Sequence, residues 1–239
     1  MNDSLALAAN CVNPHDDLLR RVLAPGPAAT LSRHGEPGRD EAERFVAAKF
    51  AAAWQAQVTV FMPWLLSLRC MSRYAAVAGI RPAAHEHPIL EQYLDAPVEQ
   101  VLGGVVNMPI LRREIVEIGN LVADMRGSSH LLFLLLTAAL HDAGYRWIVF
   151  TATQALRNNL TKLGYPLHLL APADAARLDP AARALWGNYY RSDPQVMAGS
   201  LDDARRLADA RPLLRRVLVR YREQVTAFAL RLKEDACRR

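Results

Sequence analysis

Apolar and polar positions along the 239-residue chain follow two different patterns, and the change comes near residue 115. Before it, residues 40–57 (DEAERFVAAKFAAAWQAQ) repeat apolar side chains at helical spacing and predict a helix. The segments 64–70 and 74–81 are short, β-compatible and separated by a polar turn, which predicts a hairpin. In HEHPILEQYLDAPVEQVLGG, Pro97 falls in a first helical turn just after Asp95. Asp95 is expected to cap a short helix that ends near Gly103 and Gly104. Residues 1–38 contain APGPAA and HGEPG and predict a loose arm that contributes one strand around residues 29–33.

From Ile115 onward, strand and helix alternate: IVEIGNLVA, the loop DMRGSS, helix HLLFLLLTAALHDAG, strand YRWIVFTA, helix TQALRNNLTKLG and strand YPLHLLAP. Gly144 and Gly164 stand where a left-handed residue ends a helix. Helix 130–143 is apolar almost all round and is predicted to lie buried against a sheet. After Asp174 a short helix, the segment WGNYYRSDPQVMAG and two further helices are expected. In the tail, Leu214, Leu218, Tyr221, Val225, Phe228 and Leu232 form a single apolar stripe with arginines on the other faces. The predicted organisation is an arm (1–38), an α/β (α+β) domain (39–200) and a basic helical extension (201–239), without internal repeats.

Composition narrows the class. Hydrophobic residues make up 51% and charged residues 22%, as in ordinary globular proteins. The longest strongly apolar run, 131–140, is about half of what spans a bilayer, and the first residues lack the basic start of a signal peptide. Cys11, Cys70 and Cys237 are far apart and show no ligand spacing, so neither a disulfide framework nor a metal site is expected. These features read as a cytoplasmic protein. Residues 211–239 carry nine basic and three acidic residues, a local charge of +6, against a net charge of +5. The rest therefore sits near −1, which gives no footing for nucleic-acid binding by the body of the chain.

The candidate chemistry lies in residues 113–132, REIVEIGNLVADMRGSSHLL. Glu117 interrupts an apolar strand, and a buried carboxylate is costly unless paired or neutralised. It would take a proton from an ammonium nucleophile, directly or through water; equally, it would pair with Arg81, or with Arg112 or Arg113 of a neighbouring copy. Gly119 and Asn120 predict a bulge that frees backbone groups from the ladder. An extended pantetheine chain needs such freed groups, because its amides pair like a strand. The amides of Arg126, Gly127, Ser128, Ser129 and His130 would open the next helix, where unpaired N–H groups and the helix dipole favour an anion such as a pyrophosphate. Taken alone, RGSS reads equally as an ordinary loop with a serine cap. Asn158 is a further hydrogen-bond donor to the same extended ligand.

At these residues the chain resembles the GNAT acyltransferase superfamily, with NNLTKLGYPLH similar to that group's asparagine-then-KLGF ending. More specifically, FMPWLLSLR, LEQYLDAPVE, EIVEIGNLVAD, GYRWIVFTATQALRN, LHLLAPADAARL and WGNYYRSDPQVMAG resemble the thermostable hemolysin family over roughly residues 42–202. That family is similar to acyl-homoserine-lactone and N-acyl amino acid synthases. The resemblance implies a mostly antiparallel sheet with a splayed β4–β5 pair. It also implies an acyl group carried as a thioester of coenzyme A or of a carrier protein's 4'-phosphopantetheine, and delivered to a small-molecule amine. Glu117 maps onto the strand glutamate; Leu121, Val122 and Ala123 would pair with pantetheine, and Arg126 to His130 would hold phosphate. The loop is shorter and poorer in glycine than the usual cradle, which suits a carrier protein's single phosphate as well as coenzyme A. Leu160 replaces the usual general-acid tyrosine, leaving Tyr189, Tyr190 or Tyr93 as substitutes. A strand amide at the Asn120 bulge would meet the oxyanion. Phe61, Met62 and Trp64, with Tyr93, would line an acyl pocket.

The basic tail is expected to dock on its own domain, with an acidic acyl carrier protein, a second copy or a peripheral membrane contact as the other readings. Two other classes remain open on sequence: a membrane-active haemolytic protein, and a non-catalytic module that binds an acyl thioester.

Overall fold

The computed structural model describes residues 26–125 and 127–237. Among the described residues, seven strands form one sheet in the order β1-β2-β3-β4-β5-β7-β6. Strands β1 (Ala28–Arg33), β2 (Trp64–Cys70), β3 (Arg73–Pro82) and β4 (Ile115–Ala123) pair antiparallel in sequence. β4 then pairs parallel with β5 (Trp147–Ala152), and the helix α3 (Ser128–Asp142) supplies the long crossover that a parallel pair requires. β7 (Gln195–Ser200) pairs antiparallel with both β5 and β6 (Leu167–Pro172). The remaining helices are α1 (Arg39–Trp54), α2 (Val98–Val106), α4 (Gln154–Lys162), α5 (Pro180–Leu185), α6 (Leu201–Ala210), α7 (Pro212–Arg220) and α8 (Arg222–Cys237).

Alternation along the strands divides the core into two layers. On one face Leu66, Ile80, Ile118 and Phe150 pack under α3 and the C-terminal helices. α3 is buried along nearly its whole length, as its all-round apolarity predicts. On the other face, α1 covers Leu65, Val77 and Val122, while α2 and the 3-10 helix Ile89–Tyr93 cover Ile115, Val149 and Val196. Trp186 and Tyr190 touch both of these clusters.

The predicted bulge is present. Gly79 pairs with Gly119 and Val77 with Val122, so Asn120 and Leu121 together oppose Ala78. Asn120 takes a left-handed φ of 48°, a conformation that asparagine tolerates better than most residues. The extra residue shifts the alternation by one, so Leu121 packs towards α3 and Val122 towards α1.

Three local expectations change. Asp95 does not cap α2; the Val98 amide donates instead to Glu91 Oε1 at 2.9 Å. α2 also runs past Gly103 and Gly104 to Val106. The segment WGNYYRSDPQVMAG contains strand β7, and three helices, not two, follow it.

Val217, Tyr221, Val225, Phe228 and Leu232 are buried in the core under α3, and the Tyr221 hydroxyl donates to the Pro27 carbonyl at 3.0 Å. The apolar stripe of the tail is therefore used internally, while Arg215, Arg216 and Arg220 face outward. Gly144 and Gly164 end α3 and α4 with φ of 98° and 88°. No helix among the described residues is long and apolar enough to cross a membrane.

Candidate active site

The central feature is a parting of strands. β4 and β5 are paired from Ile115/Trp147 to Ile118/Phe150 and no further. Beyond that point β4 continues along β3 to Ala123, while β5 continues along β7 to Ala152. The edge of Gly119, Asn120, Leu121, Val122 and Ala123 that faces β5 thus has no strand partner there. An extended amide-bearing chain can satisfy those backbone groups, which would otherwise need water.

Glu117 stands one residue before the parting, on the face covered by the 3-10 helix, and only 3% of it is exposed. Its Oε2 accepts from the Ile89 amide at 2.9 Å and from Arg81 Nη1 at 3.3 Å, and its Oε1 accepts from the Leu90 amide at 2.9 Å. Burial raises its pKa above the usual 4.5, and the two amides and the arginine oppose that rise. The Arg81 pairing left open by the sequence is therefore present within the chain. Arg112 belongs elsewhere: it is bound to Glu91, Glu99 and the Ala83 carbonyl. That arginine hub fixes the loop whose amides hold Glu117, and the sequence reading missed it. The role of the Ile89 and Leu90 amides left no sequence signal, because backbone donors are the same in every residue.

The three tyrosine candidates separate. Tyr93 and Tyr190 meet hydroxyl to hydroxyl at 2.6 Å. Burial raises the Tyr93 pKa, its bond to Tyr190 raises it further, and the charge of Glu117 adds to the effect. Tyr189 lies in an aromatic cluster with Phe50, Trp54 and Trp186 instead. In the Tyr93–Tyr190 pair one hydroxyl hydrogen is consumed between the rings, which leaves the second to donate outward. The half-exposed Tyr190 is the member closer to solvent.

Asn120 acts as a clamp. Its Oδ1 accepts from the Met62 amide at 2.8 Å and its Nδ2 donates to the Val60 carbonyl at 3.4 Å. Met62 lies over the glycines of the bulge: a Cβ on Gly119 would come within 2.3 Å of Met62 Cε. Phe61 is partly buried with the α1 cluster. Trp64 lies on the opposite face of the sheet, with the guanidinium groups of Arg33 and Arg231 4.5 and 5.0 Å from its ring centroid and its Nε1 donating to Asp235 at 3.0 Å. It therefore lines no pocket beside Glu117, because strand alternation points it the other way.

At the start of α3, Gly127 is left-handed with φ 83°, and no side chain caps the helix. Ser128 is buried, and its hydroxyl donates to the carbonyls of Ala75 and Met125. The Ser128 amide donates to Met125 and the His130 amide to Gly127, so these two amides are engaged locally. Gly127 and Ser129 are the parts of the expected cradle left at the helix opening. Arg126 lies outside the described residues. Asn158 is exposed on α4, which follows the parted end of β5.

A sequence model of the thermostable hemolysin family matches residues 32–205. The chain belongs to that family. The match takes in the end of β1 and all of β2 through β7, including the parted strands. Among solved structures, the acyl-homoserine-lactone synthase LasI superposes with a TM-score of 0.50 at 11% identity, covering 74% of this chain and 90% of LasI. FeeM, an N-acyl amino acid synthase from uncultured soil microbes, gives 0.46 at 12% identity, covering 76% and 95%. The CoA-dependent acyl-homoserine-lactone synthase MesI gives 0.47 at 13% identity, covering 81% and 95%. At these identities the likeness is one of fold: the mixed, mostly antiparallel sheet with one parallel pair is shared with LasI. A comparison with curated proteins finds no match.

Proposed function

We propose that this thermostable hemolysin family member is an N-acyltransferase. It would move an acyl group from a coenzyme A or acyl-carrier-protein thioester directly to the amine of a small molecule. The observation that carries the reading is the unpaired β5-facing edge of β4, which ends at an uncapped helix opening and begins beside a buried carboxylate and a tyrosine pair. The pantetheine arm would lie along that edge, with its phosphate at Gly127 and Ser129.

In the reaction, the neutral amine nitrogen attacks the thioester carbonyl carbon, the C–S bond breaks, and the proton still on the nitrogen passes to the departing thiolate, giving an amide and a thiol. The spare hydroxyl hydrogen of the Tyr93–Tyr190 pair would donate to the carbonyl oxygen as negative charge develops there. The proton released by the incoming ammonium would pass through water to Glu117, whose raised pKa suits a base. Because Glu117 is held by two amides and Arg81, its position is fixed before substrate binds; held geometry supplies much of the rate. The exposed arginines of α7 favour an acidic carrier protein as one source of the donor.

The test is to incubate the protein with thioesters and a panel of small amines, following free thiol and N-acyl products by mass spectrometry. Tyr190→Phe should lower kcat by 10-fold or more, in the range of a lost oxyanion donor or proton donor. Absence of amide product with every donor and amine would reject acyl transfer. Arg215→Glu, Arg216→Glu and Arg220→Glu together should raise the apparent KM for carrier-bound donor alone; equal loss with coenzyme A thioesters would reject carrier docking on α7.

A further inference from the structure

A second space opens on the same face of the sheet, on the β6 side of the parted strands. It is a half-open pocket of about 410 Å³ between the 3-10 helix, α2 and the edge strand β6. This size falls within the range of about 300–1,000 Å³ that holds small ligands. Its walls are Leu94, Ala96 and Val101 on one side and Leu170, Ala171 and Pro172 on the other, with the carboxylate of Asp174 also on its lining. Its inner end is Tyr93, the residue whose hydroxyl meets Tyr190 and feels the charge of Glu117. Its outer end is spanned by an ion pair, Arg177 Nη2 to Asp95 at 2.5 Å, with Arg177 Nη1 also donating to the Leu94 carbonyl at 3.3 Å.

The gradient along this space is informative. Tyr93 is 4% exposed, whereas the side chain of Asp95 at the far end is 88% exposed. The Tyr93 end is thus buried, six aliphatic side chains line the walls, and the mouth, where Asp95, Pro172, Asp174 and Arg177 are exposed, opens to solvent beside the ion pair. Such a pair contributes little to stability and opens at low cost. β6 contributes its wall at the level of Thr151 and Ala152, where β5 has already left β4.

We propose that this cavity receives the aliphatic chain of the acyl group, with its carbonyl end at Tyr93 and its methyl end against the Asp95–Arg177 pair. The assignment rests on the acyltransfer reading for its ligand and moves the acyl pocket away from Phe61, Met62 and Trp64. The side walls would select for chain thickness, and the ion pair would set the longest chain that fits.

Equilibrium binding tests this without any acceptor. The probes are free fatty acids of increasing length, coenzyme A alone, and saturated acyl-coenzyme A thioesters. With wild type, affinity should rise about fourfold per added methylene up to a limiting length and then level off. Ala171→Trp, and independently Val101→Trp from the opposite wall, should shorten that limit for both fatty acids and thioesters while leaving coenzyme A binding unchanged. Arg177→Ala should extend it. Circular dichroism and a thermal melt establish that each variant is folded. Wild-type affinity that ignores chain length, or the same length dependence in both tryptophan variants, overturns the proposal. If fatty acids bind with the expected dependence and neither coenzyme A nor its thioesters bind, the cavity stands and the thioester-donor reading falls. If coenzyme A binds without any length dependence, the reverse holds.

Discussion

Arg81 and Glu117 are register partners on β3 and β4, and their side chains meet on the face covered by the 3-10 helix with 3.3 Å between Nη1 and Oε2. Both are buried, and the carboxylate is completed by two backbone amides from the loop above it. Removing one partner of such a set leaves the other groups unsatisfied, which costs more than the pair itself contributes. Glu117→Gln should therefore lower unfolding free energy by about 2 kcal/mol, measured by urea denaturation.

The same substitution carries a pH signature. Burial raises the pKa of Glu117, so the folded chain binds that proton more tightly than the unfolded chain. Its contribution to stability is present in full below the unfolded value and is lost as pH rises through the folded one. The stability difference between wild type and Glu117→Gln should narrow as pH increases above about 4.5. A constant difference across that range would show that the carboxylate stays ionised throughout.

Glu91 has the opposite sign. Burial acts to raise its pKa, but the hydrogen bonds from Arg112 and the Val98 amide prevail and lower it. The stability from this cluster is present above the unfolded pKa and lost as pH falls through the lowered folded value. Arg112→Met should cost about 2 kcal/mol at neutral pH, and the loss should shrink on acidification below about pH 4. Paired melts of the two proteins from pH 7 to pH 3 would measure it.

Asn120 combines a left-handed backbone with a side-chain clamp on the Met62 loop. Asn120→Gly keeps the backbone easy and removes the clamp, for about 1 kcal/mol. Asn120→Ala also forces a non-glycine residue without local hydrogen bonding into that region, adding about 1 kcal/mol. Denaturation midpoints in the order wild type, glycine, alanine are expected; alanine equal to glycine would mean the bulge relaxes.

The C-terminal helices are part of the core. Five large side chains from Val217 to Leu232 are buried there, each worth about 1.5–3 kcal/mol. Their sum rivals the entire stability of a domain, about 5–15 kcal/mol. Truncation after residue 210 should give a chain without a cooperative melt that binds a hydrophobic dye. A cooperative melt in the truncated protein would show the tail to be dispensable.

Much of this architecture is written locally. Residues 115–123 announce their strand by composition and their bulge by Gly119 and Asn120, and the glycines at 144 and 164 mark helix ends as their φ values require. β7 escaped because four of its six residues, QVMAGS, are small or polar, and because its pairing with β5 skips over β6 in sequence. Trp64 was misassigned because its neighbours in sequence suggest an apolar cluster, whereas alternation sends it through the sheet to Asp235. Glu117 itself was legible; the amides that hold it were not, since a loop 27 residues away carries no mark of what its backbone will bind.

The sheet's first edge strand is locked by the last helix: Arg231 reaches the Leu31 carbonyl and Glu36, while Asp235 takes Arg33 and Trp64. These contacts join residues about 200 positions apart. A nascent chain emerging from the ribosome would hold β1, β2 and α3 with their outer surface still uncovered, and could seal it only once α8 has been made. Closure over so long a separation leaves that surface exposed in the meantime, and it ties the yield of folded protein to how quickly α8 arrives.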